Sequence, residues 1–537
     1  MQLIKRLFII LLILLIAVPC WGANVYIDPT YGSGGDGSFA TPYDSWTDVD
    51  LSVANDYRQL CGTTETLATG LTITAVGSSG DHVIIGAYYD SSGTPVHEDD
   101  NPSFGANCGN DVSKPILQGT SGTPSDYELW AMDDFLMIGD EAVLSQYLEF
   151  NSLRFQKQQV GLFIRSNYNT VKYCYFWYLT WGMRIGNSTD GDNNTIEYNY
   201  FDLNDQTDEG SSCGGVQCGY DPISLREYAQ NNLVRYNHMT GHDHAGVAIA
   251  GGDNNTIEYN YFYGTNYHED IGVAIDRFSS SGRYNIVRYN YMFNTGEAMQ
   301  ITGARYNEVY GNVMVCLQGM LSDDGMGCIT FGTGSSALAA PPIGNLVYNN
   351  VIYGTTSGKT KQHGIYFYGI DDAGADLVKD NVFANNIINN IGGACISQYD
   401  PVGAIDDDEN YFYNNSCYDW NNDTGYSYAY IGDTGYTKTQ LNDLGFASGN
   451  IDTDPSLEDV STYKFWPAST SSPVYQTGYN VGDPYDTLLL STSDFTAEPP
   501  EVNKDQFGTD YIGAYGLVGE SIPNTPLQGA AGNFKYN

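Results

Sequence analysis

The segment NTIEYNYF at residues 194–201 recurs unchanged at residues 255–262, and weaker copies of this eight-residue phrase surround both. The phrase begins at ten positions: Gln146, Asn169, Asn194, Asn232, Asn255, Asn285, Asn307, Asn345, Asn381 and Asn410. Successive copies start 22 to 38 residues apart, so a coil of fixed minimum size carries insertions of variable length. This periodicity is typical of a solenoid, in which insertions usually gather on the functional face.

The repeated positions favour strands over helices. The third and eighth positions are apolar, as in Ile196 and Phe201, whereas the sixth is Asn in nine copies and Cys174 in the other. Two inward positions separated by a polar corner predict two short strands that meet at a bend, with Asn side chains stacked along the axis. A helical solenoid is the competing interpretation, but a 3.6-residue period is missing and β-branched and aromatic residues dominate.

The fourth position of the phrase alternates in charge along the first copies. It runs Glu149, Lys172, Glu197, Arg235, Glu258 and Arg288. Stacked strands of a parallel sheet lie about 4.8 Å apart, so the sequence predicts ion pairs between consecutive coils. Each exposed pair contributes only about 0.2–1 kcal/mol, and we expect its main effect to be on register.

With these repeats the chain resembles the secreted bacterial right-handed parallel β-helix proteins, a group that includes pectate lyases, chondroitinase B-type lyases and alginate lyases. Residues 26–46 and 79–90 resemble the entry segment and first coils of that group, as do residues 114–119, and residues 454–478 and 510–516 resemble its closing coils. The resemblance implies an all-β, single-stranded right-handed parallel β-helix of about ten or more coils. We divide the chain into residues 1–22 (signal peptide), 23–145 (cap and first coils), 146–450 (central repeats) and 451–537 (closing segment).

Charge and targeting signals indicate a protein that is secreted to the exterior or held at the cell surface, with the periplasm as the alternative. Lys5 and Arg6 precede an apolar run at residues 7–18, and Cys20 and Gly22 occupy the small-residue positions of a cleavage site, which together predict a secretory signal. The formal net charge of −42 argues against nucleic acid and anionic membranes as partners. No later segment is apolar enough to cross a membrane. The sequence leaves open whether the protein is a monomer or a homotrimer.

Nine cysteines remain after signal cleavage, and an oxidising exterior permits disulfides. Cys213 could pair with Cys218, and Cys316 with Cys328. An odd number leaves at least one thiol, and we expect it to be Cys174, inside the Asn column.

A third strand precedes each copy of the phrase and carries outward Arg residues in a chain that has few of them. Arg165, Arg184 and Arg226 predict a cationic strip that binds a polysaccharide. Tyr220, Asp276 and Gln300 are predicted to bind the same ligand, as is Trp181, which we expect on a turn where its ring could stack on sugars. The alternative is a solvated strand face on which loop acids neutralise the Arg side chains.

The turns that enter these strands hold the most suggestive cluster. GHDHAGVAIA at residues 241–250 aligns without gaps with YHEDIGVAID at residues 267–276. The alignment stacks His242 on His268 and predicts one surface patch. Asp243, Glu269 and Asp270 suit a Ca²⁺ site, and His244 or His268 suits a general base. The alternative is a pair of polar turns that bind their own backbones.

Short motifs resemble those of several β-helix enzymes, each in part. The GYDP sequence at 219–222 resembles the YGFDPH motif of mannuronan epimerases, with Ile223 in place of the His. The SDDG sequence at 322–325 resembles a calcium-binding motif of pectate lyases but lacks its third acid. Chondroitinase B-type lyases place Lys and Arg beyond an acidic metal site, and this chain offers Arg277 and Arg305 without Lys.

We therefore predict a polysaccharide lyase that cleaves a uronate-containing glycan by β-elimination. His244 or His268 would take the proton, and Arg277 and Arg305 would neutralise the carboxylate, with Ca²⁺ as the expected cofactor. A glycoside hydrolase with paired carboxylates in the same groove is the first alternative. A non-catalytic glycan-binding or structural surface protein is the second.

Overall fold

The structure is a computed structural model. It describes residues 22–67, 70–97, 108, 113–119, 135–138, 146–157, 160–186, 190–203, 221–242, 244–264, 271–276, 282–317, 326–332, 341–354, 362–368, 378–399, 410–420, 427–432, 434–459 and 464–467.

Short strands of successive coils stack in parallel, and in the described residues they form three long sheets. The first sheet contains Asn24–Ile27, Asp56–Leu60, Val83–Asp90, Leu148–Asn151, Thr170–Lys172, Thr195–Glu197, Leu233–Arg235, Thr256–Glu258, Ile286–Arg288, Glu308–Tyr310, Leu346–Tyr348, Val382–Ala384, Tyr411–Tyr413 and Ala447–Ser448, with Pro95–His97 added antiparallel.

The second sheet contains Thr64–Leu67, Ile116–Gly119, Arg154–Gln156, Tyr175–Trp177, Tyr200–Asp202, His238–Thr240, Tyr261–Tyr263, Tyr291–Phe293, Val313–Val315, Val351–Tyr353, Ile387–Ile391 and Ser416–Trp420. The third contains Leu71–Ile73, Phe135–Ile138, Val160–Ile164, Trp181–Ile185, Asp221–Leu225, Ala245–Ala250, Ile271–Asp276, Glu297–Thr302, Met326–Gly332, Gln362–Tyr368, Ile396–Tyr399, Ala429–Ile431 and, antiparallel, Thr434–Tyr436.

The core is the interior of this three-sided tube. The third and eighth phrase positions point inward as predicted, and Ile196 and Phe201 are fully buried in one continuous apolar cluster. Identical side-chain types stack from coil to coil, for example Phe176 on Phe201 with ring centroids 4.6 Å apart. The core therefore extends along the axis, and each coil packs mainly on its two neighbours.

The predicted Asn ladder forms at the corner between the first and second sheets. The Oδ1 atom of Asn260 accepts from the backbone N–H and from the Nδ2 of Asn237, both at 3.0 Å. The Nδ2 of Asn260 donates to the Val234 carbonyl at 2.9 Å and to Oδ1 of Asn290 at 3.0 Å. These buried amides are therefore fully hydrogen-bonded, which offsets the cost of desolvating them.

The residue in the left-handed conformation at this corner is the one before the Asn. Tyr198, Tyr236 and Tyr259 have φ values of 58°, 55° and 55°. Their rings stack at 5.0 and 5.2 Å. An L-residue at positive φ costs free energy. The ring stack along the corner is a compensating contact.

A second Asn ladder runs along the corner between the third and first sheets. It uses the first position of the phrase: Asn169, Asn194, Asn232, Asn255, Asn285, Asn307, Asn345, Asn381 and Asn410. The sequence showed these Asn residues, but their stacking was not predicted. Two of the three corners of the tube are thus held by side-chain amides.

The first copy of the phrase is two residues out of register with our alignment. Phe150, not Leu148, pairs with Val171, and Phe155, not Leu153, pairs with Phe176. Leu153 consequently occupies the corner and Asn151 does not. Both Leu148 and Phe150 are apolar and both are buried, so the hydrophobic pattern alone could not distinguish the two registers.

Ion pairs join the fourth positions as predicted. Lys172 Nζ lies 3.0 Å from Glu149. Arg235 and Arg288 bind Glu197 and Glu258 through two nitrogens each.

The described cysteines form three disulfides, of which one was predicted. Cys316 pairs with Cys328, Cys61 with Cys108, and Cys395 with Cys417. The expected free thiol at Cys174 is confirmed, and burial raises its pKa to about 12. Cys213 and Cys218 lie outside the described residues.

A short helix, α1 (Lys438–Asn442), follows the third sheet and is capped at its N-terminus by a Thr437–Gln440 capping box. A separate antiparallel pair, Leu457–Asp459 and Lys464–Pro467, comes next. A 3₁₀ turn, Trp46–Asp48, lies in the N-terminal coils. The closing residues 468–537, including 510–516, lie outside the described part of the chain, as does most of the predicted signal peptide. No helix in the described part is both long and apolar enough to cross a membrane.

Candidate active site on the third sheet

The outer face of the third sheet carries three in-register columns of side chains. The upstream column contains Trp181, Asp221, Ala245, Ile271 and Glu297. The middle column contains Phe163, Arg184, Ser224, Ala248, Ala274, Gln300, Thr330 and Tyr366. The downstream column contains Arg226, Ala250, Asp276 and Thr302.

The start of these strands departs from strict alternation, with a register shift between Val160 and Leu162 in one of them. Along one strand, an upstream residue such as Trp181 and the next outward residue, Arg184, are three positions apart, whereas strict alternation would place them two apart. In this strand the additional inward residue is Gly182. A Cβ at Gly246 or Gly272 would collide with Phe262 or Met292 of the core. Ala245, Ala248, Ile271 and Ala274 form a small apolar cluster separate from the main core. The glycines therefore let the backbone approach the core closely at residues 246 and 272, whereas Pro222 and Ala298 occupy this position after the polar residues Asp221 and Glu297.

The upstream column brings Asp221 to His244. His244 Nδ1 lies 2.8 Å from Asp221 Oδ1, and the Ala245 backbone N–H also donates to that oxygen at 3.3 Å. The Asp221 side chain is only 3% exposed, whereas that of His244 is 20% exposed. A carboxylate only accepts hydrogen bonds, so the proton of a neutral His244 resides on Nδ1 and Nε2 keeps its lone pair. This is the arrangement of a general base.

Asp276 provides a second carboxyl group in the downstream column. Burial is the largest effect on its pKa and raises it above the ordinary value, and Asp221 raises it further. The charge of His244 and the Thr302 hydroxyl act in the opposite direction. The interaction with His244 and Asp221 shows that the three groups share one electrostatic environment. A carboxyl group with a raised pKa retains its proton to higher pH and can serve as a general acid.

The three predicted Arg residues share the outer face but form two columns, not one. Arg184 lies in the middle column. Arg165 and Arg226 lie in the downstream column, on the coils before and after the one that carries Gly186 at this position. The Arg165 and Arg184 guanidinium carbons lie 4.7 and 5.6 Å from the centroid of the Phe163 ring. Within the described residues, the Arg226 side chain has no hydrogen bond or ion pair.

Trp181 is placed differently from our expectation. It begins a strand instead of lying on a turn, is 2% exposed, and is covered by the Arg184 guanidinium, 5.1 Å from its ring centroid. Its ring therefore orients Arg184 and is not an open surface for a sugar. Gln300 is half-buried, and its Nε2 donates to the buried Glu297 at 3.5 Å.

The predicted surface patch is wrong for His242, which is fully buried in the turn before the strand. Burial lowers its pKa to about 4, so it stays neutral. Its proposed partner in the stack, His268, lies outside the described residues. So do Tyr220, Asp243, Glu269, Asp270 and Arg277.

Arg305 lies beyond the outer face, on the corner that precedes the first sheet. Its backbone forms isolated parallel β-bridges with Arg283 of the preceding coil and Ile343 of the following coil.

No group of three or more His, Cys, Asp or Glu suited to a metal ion occurs among the described residues. The predicted Ca²⁺ ligands are all outside them, so the Ca²⁺ site stays a prediction.

The residue that the sequence analysis missed is Asp221. The alignment of DPISL at residues 221–225 with AGVAI at residues 245–249 places Asp221 beside the start of the next strand. His244 immediately precedes that strand, so this alignment contained the signal.

Comparison with known proteins supports the architecture. Residues 141–314 match the model of the right-handed β-helix region. The chain is a right-handed parallel β-helix protein. No curated protein sequence matches this β-helix protein.

Among solved structures, the β-helix protein is similar to the catalytic domain of a GH87 alpha-1,3-glucanase in complex with tetrasaccharides. The TM-score is 0.52 at 12% identity, over 80% of this chain and 69% of that one. In the comparison with the complex of the same domain with nigerose, the match covers 74% of this chain and 64% of that chain at 13% identity, with a TM-score of 0.48.

It is also similar to an alginate lyase from Paenibacillus sp. str. FPU-7, with a TM-score of 0.31 at 11% identity, over 48% of this chain and 88% of that one. At these identities the likenesses establish the fold alone.

Proposed function

We propose that this β-helix protein is a secreted enzyme that binds an extended acidic polysaccharide across the third sheet and cleaves it by β-elimination. The observation that carries the proposal is the Asp221–His244 pair, which presents a histidine base on the same outer face as Asp276 and Arg226. The three disulfides suit an oxidising exterior.

The proposed reaction begins with neutralisation of a uronate carboxylate. Arg226 would bind the carboxylate, which acidifies the proton on the adjacent carbon. His244 Nε2 takes that proton, the bond to the glycosidic oxygen breaks, and a carbon–carbon double bond forms. Asp276 gives its proton to the leaving oxygen. The proton balance is then restored when His244 releases its proton to solvent and Asp276 regains one.

The overall charge of −42 opposes the approach of a polyanion. Surface charges are screened beyond about 8–10 Å at physiological salt, so the local field of Arg165, Arg184 and Arg226 governs capture close to the sheet. The predicted Ca²⁺ at Asp243, Glu269 and Asp270 would add positive charge where the chain enters these strands, next to His268 in the sequence, and Arg277 follows Asp276 at their other end.

A glycoside hydrolase is the second candidate. The observation that favours it is that Asp221, Asp276 and Glu297 all lie on the outer face, with the pKa of Asp276 raised as a hydrolytic acid requires.

One assay separates these functions. The purified protein is incubated with a panel of uronate and neutral glycans, and ultraviolet absorbance and reducing ends are measured together. β-Elimination gives both signals, because the new double bond is conjugated with the carboxylate, whereas hydrolysis gives reducing ends alone. Retention on a glycan array without either signal indicates a binding protein. The matched controls are His244→Gln, which should abolish elimination, and His82→Gln in the N-terminal coils, which should not.

A further inference from the structure

We propose that Asp221 is a positioning residue, which fixes the tautomer and the ring orientation of His244. The inference rests on the proposed function for its catalytic meaning, but the hydrogen-bonding arrangement can be tested without a substrate.

The backbone holds Asp221 in place before His244 is considered. Asp221 is the first residue of the strand Asp221–Leu225 and pairs in register with Trp181 of the coil before. Its carboxylate reaches forward to the next coil, where it meets the Ala245 N–H and the His244 ring. A base whose partner belongs to a different coil is oriented by the sheet register, and not only by its own turn.

Burial of the Asp221 carboxylate costs free energy, and its hydrogen bond to the neighbouring backbone does not by itself offset that cost. A carboxylate that is 3% exposed has lost nearly all contact with water, and the single 3.3 Å bond from the Ala245 N–H offsets little of that cost. The 2.8 Å bond from the imidazole is the shorter contact, and it strengthens further when His244 becomes positively charged. The carboxylate therefore favours the imidazolium that forms once the base has taken a proton.

Two other aspartates show what a structural role looks like in this fold. Asp192 accepts from the Gln230 backbone N–H of the next coil at 2.8 Å. Asp253 accepts from the backbone N–H groups of Gly282 and Arg283, both at 2.7 Å. In the described contacts each binds backbone only, whereas Asp221 binds a titratable ring on an outward face.

The test compares Asp221→Asn with the matched control Asp192→Asn. The imidazole nitrogens of His244 are followed by ¹⁵N NMR in histidine-labelled full-length protein, with His244→Gln used to assign the signals. We expect wild type to carry the neutral-state proton on Nδ1. In Asp221→Asn this preference should be lost, whereas Asp192→Asn should leave the His244 signals unchanged.

Turnover on a glycan that wild type cleaves supplies the second readout. Asp221→Asn should lower kcat about 10²-fold or more with KM nearly unchanged, since the base and not the binding surface is affected. Asp192→Asn should change neither.

The outcomes are distinguishable. A wild-type His244 with its proton on Nε2 overturns the positioning role, even if Asp221→Asn fails to fold. A wild-type Nδ1 proton together with an unchanged kcat in folded Asp221→Asn also overturns it. If no glycan is cleaved while the NMR result holds, the hydrogen-bonding arrangement stands and the proposed function fails.

Discussion

Replacement of Asn260 by Leu tests whether side-chain amides hold the corner of the tube. Leu is close to Asn in size but has no polar side-chain atom, so four hydrogen bonds of 2.9–3.0 Å disappear. The Nδ2 of Asn237 keeps its bonds to the Ile196 and Arg235 carbonyls, at 2.9 and 3.0 Å. The Asn237 backbone N–H and the Val234 carbonyl are left buried without that partner.

Each stranded buried group costs about 1–3 kcal/mol. With two such groups and some relaxation, we expect Asn260→Leu to lower the free energy of unfolding by about 2–4 kcal/mol. Urea unfolding followed by circular dichroism measures it as a lower midpoint at unchanged slope. The matched control is Thr256→Leu in the same coil. Its outward position lies between Leu233 and Ile286, so the change should stay within about 0.5 kcal/mol. Equal midpoints for the two variants would refute the stabilising role of the ladder.

Further predictions concern other parts of the molecule. Cys174→Asn should raise stability by about 1 kcal/mol, since the new amide can donate to Oδ1 of Asn199 and the two residues are similar in volume; a lower urea midpoint would contradict this. Burial lowers the pKa of His238 to about 3 from 6.5, so its contribution to stability is present above pH 6.5 and is lost as the pH falls toward 3. Between pH 7 and pH 5 the free energy of unfolding of His238→Phe should therefore fall by about 2 kcal/mol less than that of wild type, as measured by urea titration. An equal pH dependence of the two proteins would exclude the effect. Arg226→Ala should raise KM for a uronate glycan about tenfold and leave the unfolding midpoint unchanged; an unaltered KM would remove Arg226 from the site. Added Ca²⁺ should raise the melting temperature, and Asp270→Ala should abolish that gain; no gain in wild type would exclude the metal site.

The fold could be predicted from the sequence because one repeated phrase determines it. Ile196, Phe201 and Asn199 recur with fixed spacing, and period-two alternation identifies strands. The register of the first copy could not be predicted, since Leu148 and Phe150 are equally suited to the core. The second Asn ladder could not be predicted, because its prediction requires the position of the corner between the third and first sheets. No local sequence pattern marks that corner.

The candidate site was less accessible to sequence reasoning than the fold. Asp276 was expected on the outer face and lies there, because alternation within a strand determines which side a residue occupies. His244 was selected from the alignment of two turns that precede strands. The contact between Asp221 and His244 depends on stacking of strands separated by more than twenty residues. The burial of His242 was missed because a polar residue in a turn was assumed to face solvent, although the turn packs beneath the next coil.

Both Asn ladders have a direction, and this makes the two ends of the tube chemically unequal. In every described rung the acceptor Oδ1 belongs to the coil nearer the C-terminus, so loss of the last coil leaves both the backbone N–H and the Nδ2 of the preceding Asn without this acceptor. Loss of the first coils leaves one Oδ1 without its donors and removes one carbonyl acceptor from an Asn Nδ2 that keeps its bond to the following coil. Unmatched N–H groups are tolerated less well. At the C-terminal end Asn442 of α1 supplies the missing acceptor, binding the N–H and Nδ2 of Asn450 at 3.0 and 2.8 Å. During synthesis the ladder N–H groups of each coil would therefore stay unmatched until the next coil forms. Removal of N-terminal coils should destabilise the protein far less than removal of α1.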